Sequence, residues 1–256
     1  MNEYTKPLII AEIGMNHMGD EEYANQYIES LVVARPYGLT FQVREKEYYA
    51  KQEKGTSPLL TDEYYQSAVL RTNELRMRFG VGLCDVEKVP FFEEIGTDFY
   101  KILSKDIGNQ ELVAAVLETG KPVYVSTGMS SEDEVDSFLA GLGNPTNLSL
   151  IHTQLSYDDA DTNLSAISRL REIFGVPVAF GSHSTDVHAL YASLGFSPSA
   201  LFFYVKGDRP IKHKDEAHAI PLAQCATVVA EIRRLETMIG DGVKQKMQNR
   251  IKDQSK

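Results

Sequence analysis

The sequence predicts a (β/α)8 TIM barrel of the α/β class, built as a single domain, and three observations predict it. Short β-rich runs alternate with amphipathic helical segments eight times over 256 residues, which is the size and rhythm of such a barrel. Polar residues recur at the C-terminal end of nearly every run, where a barrel gathers its site, instead of at one switch point. No G-x-G-x-x-G follows the first run, which argues against a doubly wound open sheet. Residues 1–240 are expected to form the barrel and residues 241–256 a polar C-terminal tail.

In order along the chain, PLIIAEI (7–13) is a continuous apolar run, as a strand covered on both faces requires. Residues 21–33 read as a helix. LTFQV (39–43) is the second strand, and its alternation sets Thr40, Gln42 and Arg44 on one side. The long charged and tyrosine-rich segment that follows, EKEYYAKQEKGTSP, has the character of a functional lid. A helix is expected over 61–79, a strand in VGLCD (81–85) and a short helix over 86–95. FYKIL (99–103) and PVYVS (122–126) are the fourth and fifth strands, separated by a helix carrying Leu112, Val113, Val116 and Leu117 at helical spacing. The helix over 131–142 opens with SEDE, an N-cap hydroxyl followed by an acidic first turn. LSLIHT (148–153), VPVAFG (176–181) and ALFFYV (200–205) complete the strands, with helices over 163–174, 187–195 and 222–239. Glycine stands at the joints YGLT, FGVG, IGTD, TGKP, LGNP and FGVP, where it is expected to end each helix before the next strand.

The formal charge is -10 with a sequence pI near 5.1, so a nucleic-acid partner is not expected. No apolar run is long enough to span a membrane, the N-terminus lacks the apolar core of a signal peptide, and the two cysteines, Cys84 and Cys225, form no spaced pattern. A cytoplasmic location is expected.

In a barrel the strand ends converge on one mouth, which makes Glu12, Gln42, Lys101, Ser104, Ser126, His152, His183 and Tyr204 neighbours and the candidate site. Lys101 lies between apolar strand residues, where a cation needs an anion or must lose its proton. It can pair with Glu12, bind a phosphate or carboxylate, or form a Schiff base as in lysine-dependent aldolases. Ser104 and Ser126 can donate to the same anion. His183, in GSHSTD, suits a divalent metal or a general base. His213 and His218 sit in a basic loop with Lys206, Arg209, Lys212 and Lys214, where histidines are expected to be solvated.

IIAEIGMNHMGD, YKILSKDIGN, KPVYVSTGMS, NLSAISRLREIFGVPVAFGSHSTD and the acidic position in HKDEAH resemble, in order and spacing, the barrel domain of the sialic acid synthases, a group that includes legionaminic, pseudaminic and spore-coat polysaccharide relatives. The resemblance runs from about Pro7 to Ile239. It implies condensation of phosphoenolpyruvate with an N-acetylated amino sugar aldehyde, aided by divalent manganese or magnesium, to form a nine-carbon 2-keto-3-deoxy acid. Carried over, Glu12, Lys101 and His183 would be catalytic. Lys101, Ser104, Ser126 and Arg44 would bind phosphoenolpyruvate, Arg44 replacing a strand-two lysine that is Thr40 here. Gln42, Tyr157 and Asp215 would face the sugar, and His183 would bind the metal.

The family's second metal histidine falls on Tyr204, its strand-three Thr-Pro on Leu83 and Cys84, and its strand-seven serine and aspartate on Gly181 and Ser182. The barrel is expected to stand without the antifreeze-like domain of typical members, leaving at most a barrel-to-barrel homodimer. Two alternatives follow from these departures: a non-catalytic, sugar-binding barrel, and a metal-independent aldolase that uses Lys101.

Overall fold

The computed structural model describes residues 6–244, apart from residues 54, 144 and 211. Most of the tail expected at 241–256 therefore lies outside the described residues. Eight parallel strands follow one another in sequence order: β1 (Leu8–Gly14), β2 (Gly38–Val43), β3 (Arg78–Leu83), β4 (Phe99–Ile102), β5 (Val123–Ser126), β6 (Leu148–His152), β7 (Val178–Ser182) and β8 (Ala200–Lys206). β1 pairs with both β2 and β8, through Glu12↔Thr40 and Glu12↔Tyr204, and this closes the barrel. A short ninth strand, β9 (Ile220–Pro221), pairs with the end of β8.

Outside the strands lie α1 (Glu21–Ala34), α2 (Lys46–Ala50), α3 (Asp62–Glu74), α4 (Val89–Glu94), α5 (Gln110–Glu118), α6 (Glu132–Ala140), α7 (Ser165–Phe174), α8 (His188–Ser193) and α9 (Leu222–Ile239). Their inward faces, such as Tyr27, Ile28 and Leu31 of α1 and Leu112, Val113 and Val116 of α5, bury against the strands in one continuous core. Ser131 caps α6 in the expected way: its hydroxyl accepts from the Glu134 amide while the Glu134 carboxylate accepts from the Ser131 amide.

Two expectations fail for identifiable reasons. The helix expected over 61–79 ends at Glu74, because Arg76 turns left-handed with φ 59° and the Met77 amide bonds back to the Thr72 carbonyl. Phe79 then belongs to β3, where its ring stacks on Phe41 at 5.6 Å. Gly38 and Gly80 do not end helices. Gly80 sits inside the barrel, where a Cβ would stand 2.2 Å from the Phe99 ring, so glycine is required there by close approach. The other joint glycines, Gly96, Gly120, Gly143 and Gly175, do hold left-handed φ between 67° and 87°.

The barrel interior is layered by the two-residue period of its strands. Ile10, Phe99, Tyr124, Ile151, Ala179, Ala200 and Phe202 form an apolar plug, with Tyr124 edge-on to Phe99 at 5.8 Å and to Phe202 at 5.1 Å. Two residues further along the same faces stand Glu12, Lys101, Ser126, Thr153, Gly181 and Tyr204. Polarity therefore begins one layer above the plug, at the C-terminal mouth.

Candidate functional site

That upper layer lines a cavity of about 290 Å3, whose walls include Glu12, Gln42, Lys101, Ser104, Ser126, His183 and Tyr204. The structure thus brings together seven of the residues expected from the strand ends. Glu12 and Lys101 come from β1 and β4, which are not neighbouring strands, and their side chains meet in an ion pair, only 5% and 8% exposed. The Lys101 ammonium also lies 5.5 Å from the Tyr204 ring centroid and 5.6 Å from that of Phe202, contacts that favour a cation. Desolvation and the nearby Glu12 and Asp215 carboxylates raise the Tyr204 hydroxyl well above its usual range, so it stays protonated.

At the ends of β4 and β5, Ser104 Oγ lies 2.7 Å from Ser126 Oγ and accepts from the Gly128 amide at 3.1 Å. A Cβ on Gly128 would approach Ser104 Oγ to 3.0 Å and Thr153 Cγ2 to 2.8 Å, so the absence of a side chain keeps this corner open. A lysine and two hydroxyls around one small space can hold a phosphate or carboxylate. His183 is pushed down to about 3 by burial and by His218 and Lys101, which leaves a neutral imidazole with a free lone pair. Asp215 is pushed up to about 7 by burial and by Glu12.

Gln42 and Lys214 also line an adjoining cavity of about 460 Å3, together with Arg44, Tyr48 and Asp215. Arg44 therefore does not reach the cavity of Lys101. β2 ends at Val43, and the guanidinium is taken up by Glu45 at 3.0 Å and by the Tyr48 ring at 4.1 Å. His152 is also outside the cavity: it is buried against Phe180, and its Nε2 lies 3.0 Å from the Thr162 carbonyl oxygen, tying down the loop after β6. Tyr157 is exposed, with its ring 5.8 Å from that of His218.

The expectation of solvated loop histidines fails, since the side chains of His213 and His218 are 6% and 5% exposed. The segment after β8 folds back over the mouth, and the His218 ring packs 4.6 Å from His183 and 5.2 Å from Tyr204. Lys105, which the strand pattern does not mark, also lines the first cavity and bridges Glu45 and Asp106 at 2.6 and 2.7 Å. Its 3₁₀ turn after β4 carries no strand signal.

Two groups of side chains have donors suited to a metal ion. Glu45, Cys84 and Asp106 bring ligand atoms within 4.8 Å of one another at the ends of β2, β3 and β4, where the Lys105 ammonium already bridges the two carboxylates. At the mouth, the neutral His183 and a His218 whose ring nitrogens have no partner among the described residues offer imidazole donors, so the residues present fit a divalent ion there.

A family model described as the NeuB family matches residues 29–244. The chain belongs to the NeuB family. It is 28% identical over 92% of its length to an uncharacterized protein of Methanocaldococcus jannaschii, covering 73% of that relative. Against the N,N'-diacetyllegionaminic acid synthase of Campylobacter jejuni it is 25% identical over 93% of its length and 79% of the relative's. The fold matches the crystal structure of an N-acetylneuraminic acid synthetase from Leptospira borgpetersenii in complex with citrate, with a TM-score of 0.85 and 24% identity over 95% of this chain and 88% of that one. Membership in the NeuB family bears out the resemblance that the motifs carry. No helix among the described residues is long and apolar enough to cross a membrane.

Proposed function

We propose that the chain joins phosphoenolpyruvate to the aldehyde of an open-chain N-acetylated amino sugar, consuming water and releasing inorganic phosphate, to give a 2-keto-3-deoxy sugar acid. The observation that carries this reading is the convergence of Lys101, Ser104 and Ser126 with Glu12, Gln42 and His183 on one cavity at the barrel mouth. In the reaction the methylene carbon of phosphoenolpyruvate bonds to the aldehyde carbon, the phosphate ester is lost to water, and the aldehyde oxygen takes up a proton.

Lys101 and the paired hydroxyls of Ser104 and Ser126 hold the anionic substrate against the β4 and β5 wall. Gln42, Asp215 and Tyr157 face the sugar, and Arg44, in the adjoining cavity, acts on the sugar side rather than on phosphoenolpyruvate. Asp215, pushed up to about 7, is protonated in part of the population near neutrality and is suited to give its proton to the aldehyde oxygen. A divalent manganese or magnesium ion held at His183 would polarise that oxygen when bound. Lys101 pairs with Glu12 through one N–H and keeps its other donors for the anionic substrate.

Phosphate release from phosphoenolpyruvate, measured across a panel of N-acetylated amino sugars with manganese, tests the reading. Release is expected to require a sugar and to disappear in Lys101→Ala. Silence across the panel would point to a barrel that binds without catalysing, and release that survives Lys101→Ala would take the reaction away from Lys101.

A further inference from the structure

Beside His183 stands an imidazole that no strand supplies. His218 belongs to the segment between β8 and α9, yet its side chain is 5% exposed and neither ring nitrogen has a hydrogen-bond partner among the described residues. Burying such a nitrogen without a partner is destabilising, and a bound cation would offset that at the nitrogen it occupies. Its neighbours are the rings of His183, Tyr204 and Tyr157, and Asp215 Oδ1 lies 3.8 Å from Nε2. Tyr204 fills the strand position where the resemblance expects a second imidazole.

The spacing of the two rings suits a shared ion. With metal–nitrogen bonds of about 2.1 Å, two imidazoles at right angles around one ion have centroids about 4.6 Å apart. The His183 and His218 centroids are 4.6 Å apart. Lys101 disfavours positive charge at both rings and Lys206 at His218, and the Glu12 carboxylate paired with Lys101 offsets part of that repulsion.

We propose that His183 and His218 together ligate one divalent transition-metal ion, so that a loop histidine replaces the imidazole absent at Tyr204. Two imidazole donors bias this site toward transition metals and away from magnesium. The inference goes beyond the proposed reaction and does not depend on it: metal binding without turnover would leave it intact and would sink the synthase reading.

Manganese(II) titrated into the full chain and followed by electron paramagnetic resonance is expected to show one bound ion, and pulsed spectra should show two imidazole nitrogens coupled to it. His218→Ala should leave one nitrogen and weaken binding at least about tenfold, while adding Tyr204→His to that variant should restore both nitrogens. His188→Ala, on the exposed surface, should change neither. Absence of binding, a single coupled nitrogen in the unaltered protein, or a His218→Ala variant that binds like the unaltered one would overturn the proposal. The nitrogen count in the unaltered protein does not require any variant to fold.

Discussion

Replacing Lys101 with methionine removes the charge and keeps most of the length, leaving the Glu12 carboxylate without its cation. Glu12 and Lys101 are 5% and 8% exposed, so little water is available to take the place of the lost ammonium. Breaking a buried pair from one side costs about 3–5 kcal/mol. At a urea m-value of about 3 kcal/mol/M, that loss moves the unfolding midpoint down by about 1 M or more. Glu12→Gln combined with Lys101→Met removes both charges, and methionine can pack between the Phe202 and Tyr204 rings that now face the ammonium. The double variant should therefore recover most of the loss, giving a coupling energy of about 2 kcal/mol or more. Urea unfolding followed by circular dichroism at neutral pH measures all three. A Lys101→Met protein within about 1 kcal/mol of the unaltered one would refute the claim that this pair is the electrostatic centre of the barrel mouth.

Two further outcomes follow from the fold around the site. His17 is fully buried and its imidazole is pushed down to about 4 from 6.5, chiefly by desolvation. The unfolded chain binds the proton first, so stability is unaffected above pH 6.5 and falls as the pH drops toward 4, by about 3 kcal/mol from this group. His17→Asn should lose that much less stability than the unaltered protein between pH 7 and pH 4, and parallel curves would contradict the assignment. Gly80→Ala drives a Cβ to 2.2 Å from the Phe99 ring and should cost about 1–3 kcal/mol or more in thermal unfolding. A neutral effect would mean that the plug is looser than its packing indicates.

The strands and the centre of the site were legible because both obey a two-residue period. Phe99 and Lys101, Tyr124 and Ser126, and Phe202 and Tyr204 each place an apolar plug residue two positions before a polar one, and that alternation survives in the sequence without any knowledge of neighbours. Arg44 was misplaced because the period holds only while the strand lasts, and β2 ends one residue earlier. Gly38 and Gly80 were misread because close approach, to the Arg78 carbonyl at Gly38 and to the Phe99 ring at Gly80, leaves no local trace. His218 was missed for a related reason: nothing in HKDEAH shows that this segment folds back over the mouth, so a loop histidine looks solvated until the rings of His183 and Tyr204 are seen against it.

The measurement that bears most directly on the proposed function is calorimetric titration of phosphoenolpyruvate into the protein, first with manganese and then with a chelator. Saturable binding that needs manganese, and that is lost in Lys101→Ala, is the predicted result. No binding in either condition would contradict it, and the cavity of Glu12, Lys101, Ser104, Ser126 and His183 would then belong to a different ligand.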